Sequence, residues 1–336
     1  MTEFSAQATQ ENNRTNVRLQ MLIVGVGAAL LAAKFWAYWL TQSNTVLTDA
    51  LESIVNVVAG ALGLYSLMVS AMPRDENHPY GHGKIEFISA GVEGTLIVVA
   101  GLLIVAKSVQ SLVHPSELEQ LDMGIYITGG AGLVNYILGA WAVRQGKQTN
   151  SLALISSGKH LISDTYSTIG LVVGLALIWL TEWAWLDSAT AILFGFIIAW
   201  TGYGIIKESV SGIMDEVDYD LVKDIVELLQ THRQPNWIDV HNLRIIKYGG
   251  ALHIDCHLTV PRYFDVVQAH TEVDALEDIL REQTGAAVEL FVHVDACVVE
   301  SCRLCPRQDC PVRSSAFESL EAWTSENIMK NRKHGV

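Results

Sequence analysis

Charge is scarce in this sequence. Only 17 % of the 336 residues are Asp, Glu, Lys or Arg, against 50 % hydrophobic, whereas a soluble chain ordinarily carries about 25 % charged residues. The shortage is uneven. Residues up to about Ile206 hold nearly all the long apolar runs, and the remainder reads as an ordinary soluble domain. That split implies one domain in lipid and one in water. Basic residues are the scarcer sign: 22 Lys and Arg face 36 Asp and Glu, a net charge of −14. Nucleic acid is excluded as a partner, because a phosphate-binding surface needs a basic patch. An acidic surface attracts cations instead. Cysteine is also sparse, with 5 in all and most of them near the C-terminus, so no disulfide framework is indicated. Met1–Asn16 lacks the basic-then-apolar pattern of a secretory signal and reads as a short disordered tail. Neither a His-Glu-x-x-His helix nor a nucleophile triad is present, which speaks against a membrane enzyme.

The apolar runs, at about 20 residues per membrane crossing, predict six spans: Met21–Leu40, Thr45–Met72, Phe87–Val113, Met123–Val143, Gln148–Leu180 and Ala189–Ile206. The connections Thr41–Asn44, His114–Asp122 and Thr181–Asp187 contain no Lys or Arg. Arg14, Arg18, Arg74, Lys84, Arg144, Lys147 and Lys207 all fall on the other side. The positive-inside rule then places both termini in the cytosol. Small residues at helical spacing, Gly25/Gly27/Ala29, Gly129/Gly130/Gly132 and Gly170/Gly174, suit close helix packing.

Ionisable groups within a span are costly and usually functional. Helix two carries Asp49, Glu52 and Asn56 on one face, and helix five carries His160 and Asp164 one turn apart. Counted at ~1.5 Å per residue, Asn56 and Asp164 reach similar depth near the middle of the bilayer. Carboxylate, amide and imidazole together suit a borderline metal. A buried polar cluster or a pure proton relay is the other reading. Lys34 and Lys107 can snorkel to the membrane surface, and Glu93 is expected to cap or pair.

After Asp215 the pattern changes. Tyr219–Thr231 and Val266–Gln283 read as helices, and Val240–Lys247, Ala251–Val260 and Val288–Val294 as strands, with Tyr248-Gly249-Gly250 as a hairpin turn. The order αββαβ predicts a small open sheet with helices on one face. His253, Asp255 and His257 alternate along one strand and His293 and Asp295 along another. His241 begins the first strand and His270 sits on the helix. Cys297, Cys302, Cys305 and Cys310 follow, a set that could hold one zinc or iron, or remain redox-active or unpaired thiols.

Three stretches carry a resemblance: Thr48-Asp49-Ala50-Leu51-Glu52-Ser53, Asn77-His78-Pro79-Tyr80-Gly81-His82-Gly83-Lys84, and His160-x-x-x-Asp164. With the six-span layout and the tail domain, the chain resembles the cation diffusion facilitators over roughly residues 17–296. The resemblance implies export of divalent transition metals in exchange for protons, with zinc leading and cobalt, iron, nickel and manganese open. It implies a homodimer in the cytoplasmic (inner) membrane and a ferredoxin-like cytosolic domain. It places the transport site at Glu52, Asn56, His160 and Asp164. Family members usually have Asp or His, then Asp, at the two helix-two positions, so Glu and Asn here are departures, and Asp49 could supply compensating charge. Asp75, His78 and His82 would form a second, loop site, unless the histidines merely shape a Pro/Gly loop. His241, His257, His270, His293 and Asp295 would form a regulatory two-metal cluster at the dimer interface. The expected organisation is a tail (1–16), a transport domain (17–207), a metal-binding and dimerisation domain (208–296) and a Cys-rich tail (297–336). A metal sensor anchored by its spans is the competing class.

Overall fold

A computed structural model of the chain describes residues 3–41, 44–113, 122–181, 183, 185–284 and 287–335. It divides into two units, Gln10–Met214 and Asp215–Val336 with Met1–Thr9. Six long helices make up the first: α1 (Glu3–Thr41), α2 (Asn44–Ser70), α3 (Ile85–Val113), α4 (Asp122–Thr149), α5 (Leu152–Thr181) and α6 (Trp185–Ile213). Among the described residues, α1, α2, α3 and α6 each contain a stretch long and apolar enough to cross a membrane.

Two boundaries differ from expectation. The segment read as a disordered tail is helical from Glu3, and Ala6, Gln7, Ala8, Gln10 and Glu11 are good helix formers. The fifth helix starts at Leu152 rather than Gln148, because Asn150 takes a left-handed φ of 53° and ends α4. Ser151 then offers its hydroxyl to the Leu154 N–H at 3.4 Å, as an N-terminal cap does.

The interior of the unit mixes polar groups with apolar clusters such as Ile97, Ile198 and Ile205, and many large apolar side chains face outward. Gln20, Glu86, Glu93, Ser156 and Ser163 are buried, while Trp36, Leu103, Leu133 and Trp200 face outward. Of the predicted glycines, Gly132 lies close to Thr168 and Gly170 close to Phe194, while others have open space beside them. A methyl group at Gly25, Gly129 or Gly130 would meet nothing within 4 Å, and the Gly174 side chain position lies outside the described residues. Backbones approach most closely at Gly94 and Gly101 of α3 against Gly202 and Gly195 of α6, and at Gly139 of α4 against Gly158 of α5. A methyl at Gly101 would lie 2.6 Å from the Gly195 carbonyl oxygen. Without a hydrophobic drive between helices in lipid, such close backbone packing is a main source of association.

The second unit follows the predicted αββαβ order. Asp218 caps α7 (Tyr219–Thr231), accepting from the Asp220 and Leu221 N–H groups at 3.1 Å each. Val222, Ile225, Val226 and Leu229 form its buried stripe, at the spacing of one helix face. Strand β1 (Asp239–Tyr248) pairs antiparallel with β2 (Ala251–Val260), and β3 (Ala287–Ala296) pairs parallel with β2, in the order β1-β2-β3. Gly249 turns the hairpin at φ 58°, a region that favours glycine. Helix α8 (Val266–Thr284) makes the crossover that a parallel pair requires, and contributes Leu276 and Leu280 to a core centred on Trp237, Ile254 and Leu258.

The chain beyond β3 has little regular structure: a single 3₁₀ turn (Glu300–Arg303), bends, and the four-residue α9 (Ser325–Ile328). It is nonetheless anchored, since Trp323 and Ile328 join the same core. Thr324 and Asn327 form a reciprocal capping box around α9.

Candidate metal centres

Within the membrane unit, α2 and α5 bring their polar faces together. Asn56 Nδ2 donates to Asp164 Oδ2 at 2.7 Å, and Asn56 Oδ1 lies 3.1 Å from His160 Nε2. His160 and Asp164 share a face because residues four apart on a helix do. A cavity of about 200 Å³ opens beside them, lined by Lys34, Ser53, Asn56, Asn135, Asp164 and Thr168 among others. The Asp49 and Glu52 side chains lie outside the described residues, so this geometry concerns Asn56, His160 and Asp164. Lys34 departs from the snorkelling expectation: it lines the cavity and donates to Ser53 Oγ at 2.8 Å. Asn135 was not singled out in the sequence, since a lone Asn in α4 carries no spacing signal.

Glu93 is wholly buried and accepts from Ser156 at 2.8 Å and Ser157 at 3.0 Å. Gln20 in turn donates to Ser157 Oγ and the Gly60 carbonyl, each at 3.0 Å. Ser156 and Ser157 lie one turn before His160 on α5, so this network continues the polar face.

In the α2–α3 loop, Asp75, His78 and His82 converge. Asp75 Oδ1 accepts from the His78 backbone N–H at 2.7 Å and lies 3.0 Å from His78 Nδ1, and Asp75 Oδ2 lies 3.4 Å from His82 Nε2. One ligand atom from each falls within 4.8 Å of the others. The His78 N–H and imidazole hold the Asp75 carboxyl below its ordinary range, so it stays an anion at neutral pH.

In the second unit the strand register builds the cluster. His241 pairs with His257, and His257 with His293, in a row across three strands. Asp295 joins them: its Oδ2 lies 3.5 Å from His241 Nε2 and 3.3 Å from His257 Nδ1, and its Oδ1 lies 3.6 Å from His293 Nδ1. His241, His257 and Asp295 offer ligand atoms within 4.8 Å of one another. His270 stays apart on α8, exposed and 3.9 Å from Asp274. Its position on the crossover helix, rather than on a strand, keeps it out of the row.

Three neighbours went unnoticed in the sequence. Asp239 Oδ2 lies 3.2 Å from His241 Nδ1, an arrangement that orients Nε2 toward the ligand position. Its place two residues before His241 on a strand was the available signal. Lys333 Nζ lies 3.7 Å from Asp295 Oδ2, and His334 pairs with Asp239 through both its imidazole and its backbone N–H. Burial alone would raise the Asp239 pKa; His241 and His334 outweigh it and hold the carboxyl well below its usual range. No local pattern predicts a contact across 95 residues.

Helices with apolar outer faces, polar groups converging inside and histidine–carboxylate clusters together define a membrane carrier of metal cations. Profile comparison agrees. The cation efflux transmembrane domain matches residues 21–214, and the cation efflux protein cytoplasmic domain matches residues 217–297. An uncharacterized transporter of Synechocystis sp. is 34 % identical over 270 residues, covering 80 % of this chain and 87 % of that protein. The cation-efflux pump FieF of Salmonella schwarzengrund is 28 % identical over 295 residues, covering 86 % and 96 %. The chain belongs to the cation diffusion facilitator family. It is an integral membrane protein that moves metal cations, not an enzyme.

Proposed function

We propose that the chain exports a divalent transition metal, zinc foremost, in exchange for protons, through a site on α2 and α5 composed of Glu52, Asn56, His160 and Asp164. Asp49 is the nearest source of additional negative charge. The observation that carries this reading is the Asn56–His160–Asp164 contact beside the cavity. Asp164 accepts from the Asn56 amide nitrogen, which turns Asn56 Oδ1 toward His160. That oxygen only accepts, so His160 Nε2 carries a proton in this arrangement. A metal can use Nε2 only after that proton leaves it, by a shift to Nδ1 in the neutral ring or by release from a doubly protonated one, so metal and the second ring proton compete for His160. Run in reverse on the far side, protonation of His160 displaces the metal. Alternating exposure of one midplane site to the two sides turns that exchange into antiport.

Nitrogen and oxygen donors in this mixture suit zinc, while geometry and availability decide among zinc, cobalt, iron, nickel and manganese. The Asp75–His78–His82 loop is a second binding place at the membrane edge. His241, His257, His293 and Asp295 form a regulatory site in the cytosolic unit, with His270 joining only across a homodimer. The basic loops favour insertion in the cytoplasmic membrane with both termini inside.

The test is metal flux into proteoliposomes under an imposed pH gradient, with a panel of divalent ions. Flux of zinc or a close neighbour that requires the gradient is the expected result. Equal flux with and without the gradient would remove the proton coupling. No flux for any ion, in correctly inserted protein that binds metal, would replace transport by sensing.

A further inference from the structure

The cysteine-bearing segment after β3 is not part of the transport reading, and the cytoplasmic-domain match ends at residue 297, its first cysteine. Cys297, Cys302, Cys305 and Cys310 nevertheless line one small, largely enclosed cavity, together with Arg262 and Arg313. Its volume is about 10 Å³, room for about one water-sized particle. We propose that these four thiols bind a single structural zinc ion, which pins the C-terminal segment to the cytosolic unit.

Four observations converge on that assignment. First, the backbone presents the thiols from three directions. The Cys297 N–H pairs with the Val260 carbonyl at 3.0 Å, at the end of β3. Cys302 and Cys305 bracket the end of the 3₁₀ turn, where the Leu304 N–H bonds to the Ser301 carbonyl at 3.1 Å. Cys310 follows the turn at Gln308 and Asp309. A Cys-x-x-Cys turn with two further cysteines is a usual way to supply a tetrahedral four-thiolate site, and such sites favour zinc or iron.

Second, donors already point at sulfur. The Arg262 N–H lies 3.4 Å from Cys297 Sγ, and the Ser314 hydroxyl lies 3.4 Å from Cys302 Sγ. Four thiolates around a divalent cation leave a net negative charge, which such donors and nearby cations stabilise.

Third, Arg313 locks the loop. It donates to the carbonyls of Cys302 at 3.0 Å and Cys305 at 2.9 Å, and also to that of Arg307.

Fourth, the described segment from Cys297 onward gives the core Trp323 and Ile328, with Met329 packed against them, and has no regular element longer than four residues. Segments this poor in apolar burial generally need a metal or a disulfide to stay folded. All five cysteines are free thiols, so these four are available as ligands. The thiols line the cavity wall more widely than bonded ligands would, with no three sulfurs within 4.8 Å of one another. Ion binding would draw them inward by side-chain rotation, to Zn–S distances of about 2.3 Å.

The site would have a consequence at the histidine cluster. Downstream of it, the same segment brings Lys333 to Asp295 and His334 to Asp239. Pinning the segment holds those contacts in place.

The test uses the full-length protein purified in detergent under reducing conditions. After extensive dialysis against chelator, metal content is measured for wild type and for Cys302→Ser/Cys305→Ser, with Cys256→Ser, Asp164→Ala and His257→Ala as controls. The expected result is about one retained zinc per chain, lost only in the double cysteine variant. If that variant fails to fold, cobalt loading of the wild type decides: strong sulfur-to-cobalt charge-transfer absorption with tetrahedral d–d bands is expected. Equal zinc in wild type and the double variant would overturn the proposal. So would cobalt spectra without thiolate bands, iron in place of zinc, or a Cys302–Cys305 disulfide in protein alkylated at lysis. None of these readouts depends on transport.

Discussion

In the membrane unit Gln20, Glu86, Glu93 and a run of serines are buried among apolar clusters, and Trp36 and Trp200 stand outside. In the cytosolic unit Trp237, Ile254 and Leu258 are inside, and much of the acid is outside. Both units gather histidine and carboxylate, yet they hold them differently. The membrane site rests on two helices whose position depends on neighbouring glycine contacts, so its ligands can move with helix packing. The cytosolic cluster rests on paired strands over a dry core, so its ligands are fixed by register. On the proposed reading the first site releases its ion and the second holds one, and the two scaffolds fit those tasks.

The largest expected effect tests the mobile site. Asp164→Ala removes the acceptor that orients Asn56 and the one carboxylate in the described cluster. Zinc flux in proteoliposomes should fall to that of protein-free vesicles, while His257→Ala keeps flux and changes only its dependence on cytosolic metal. If both variants lose flux equally, the two sites do not divide the work in this way.

Next comes the dry core. Trp237 is fully buried, and Trp237→Ala should cost about 3–5 kcal/mol. Hydrogen exchange on the full chain should show faster exchange across α7, β1, β2 and β3, with α3 and α6 unchanged. Loss of protection in α3 and α6 as well would mean that the two units unfold together.

The helix contacts can be broken separately. At Gly101 an added side chain meets the backbone of Gly195 and Ala199, whereas at Gly204 it meets nothing within 4 Å. Gly101→Val should destabilise the detergent-solubilised protein by about 1–3 kcal/mol, with Gly204→Ala near neutral in the same thermal unfolding assay. Equal melting of the two variants would show that close α3–α6 packing is not what holds the bundle.

These contacts also show what could be read beforehand. Asn56, His160 and Asp164 were legible because helical spacing puts them on single faces and lipid makes any polar face conspicuous. The strands and hairpin were legible from alternation, and Tyr219–Thr231 matched to the residue. The pairing of Gly94 and Gly101 with Gly202 and Gly195 was not, because small residues are common in membrane helices and only the docked pair reveals which are close. Lys34 looked like a surface-seeking lysine until the cavity gave it a polar neighbour. His334 and Lys333 reach the histidine row through tertiary contact alone. The segment after Ser314 carried no periodicity, since α9 is a single turn, too short for any repeat to register.

The smallest effect concerns the edge of the cytosolic unit. Asp218 caps α7 and also pairs with Lys247. Partial burial alone would raise its pKa; Lys247 and the α7 N–H groups outweigh that and lower it. A carboxyl whose pKa is lower in the folded state adds stability above its unfolded value near ~3.9 and loses that contribution as pH falls through the folded value. At neutral pH the contribution is therefore complete. Asp218→Ala should cost about 1 kcal/mol, read as faster exchange of the first-turn amides of α7. The cost should shrink toward zero as the pH is lowered below the ordinary carboxylate range. An undiminished cost at low pH would assign the effect to side-chain packing rather than to the charge on the cap.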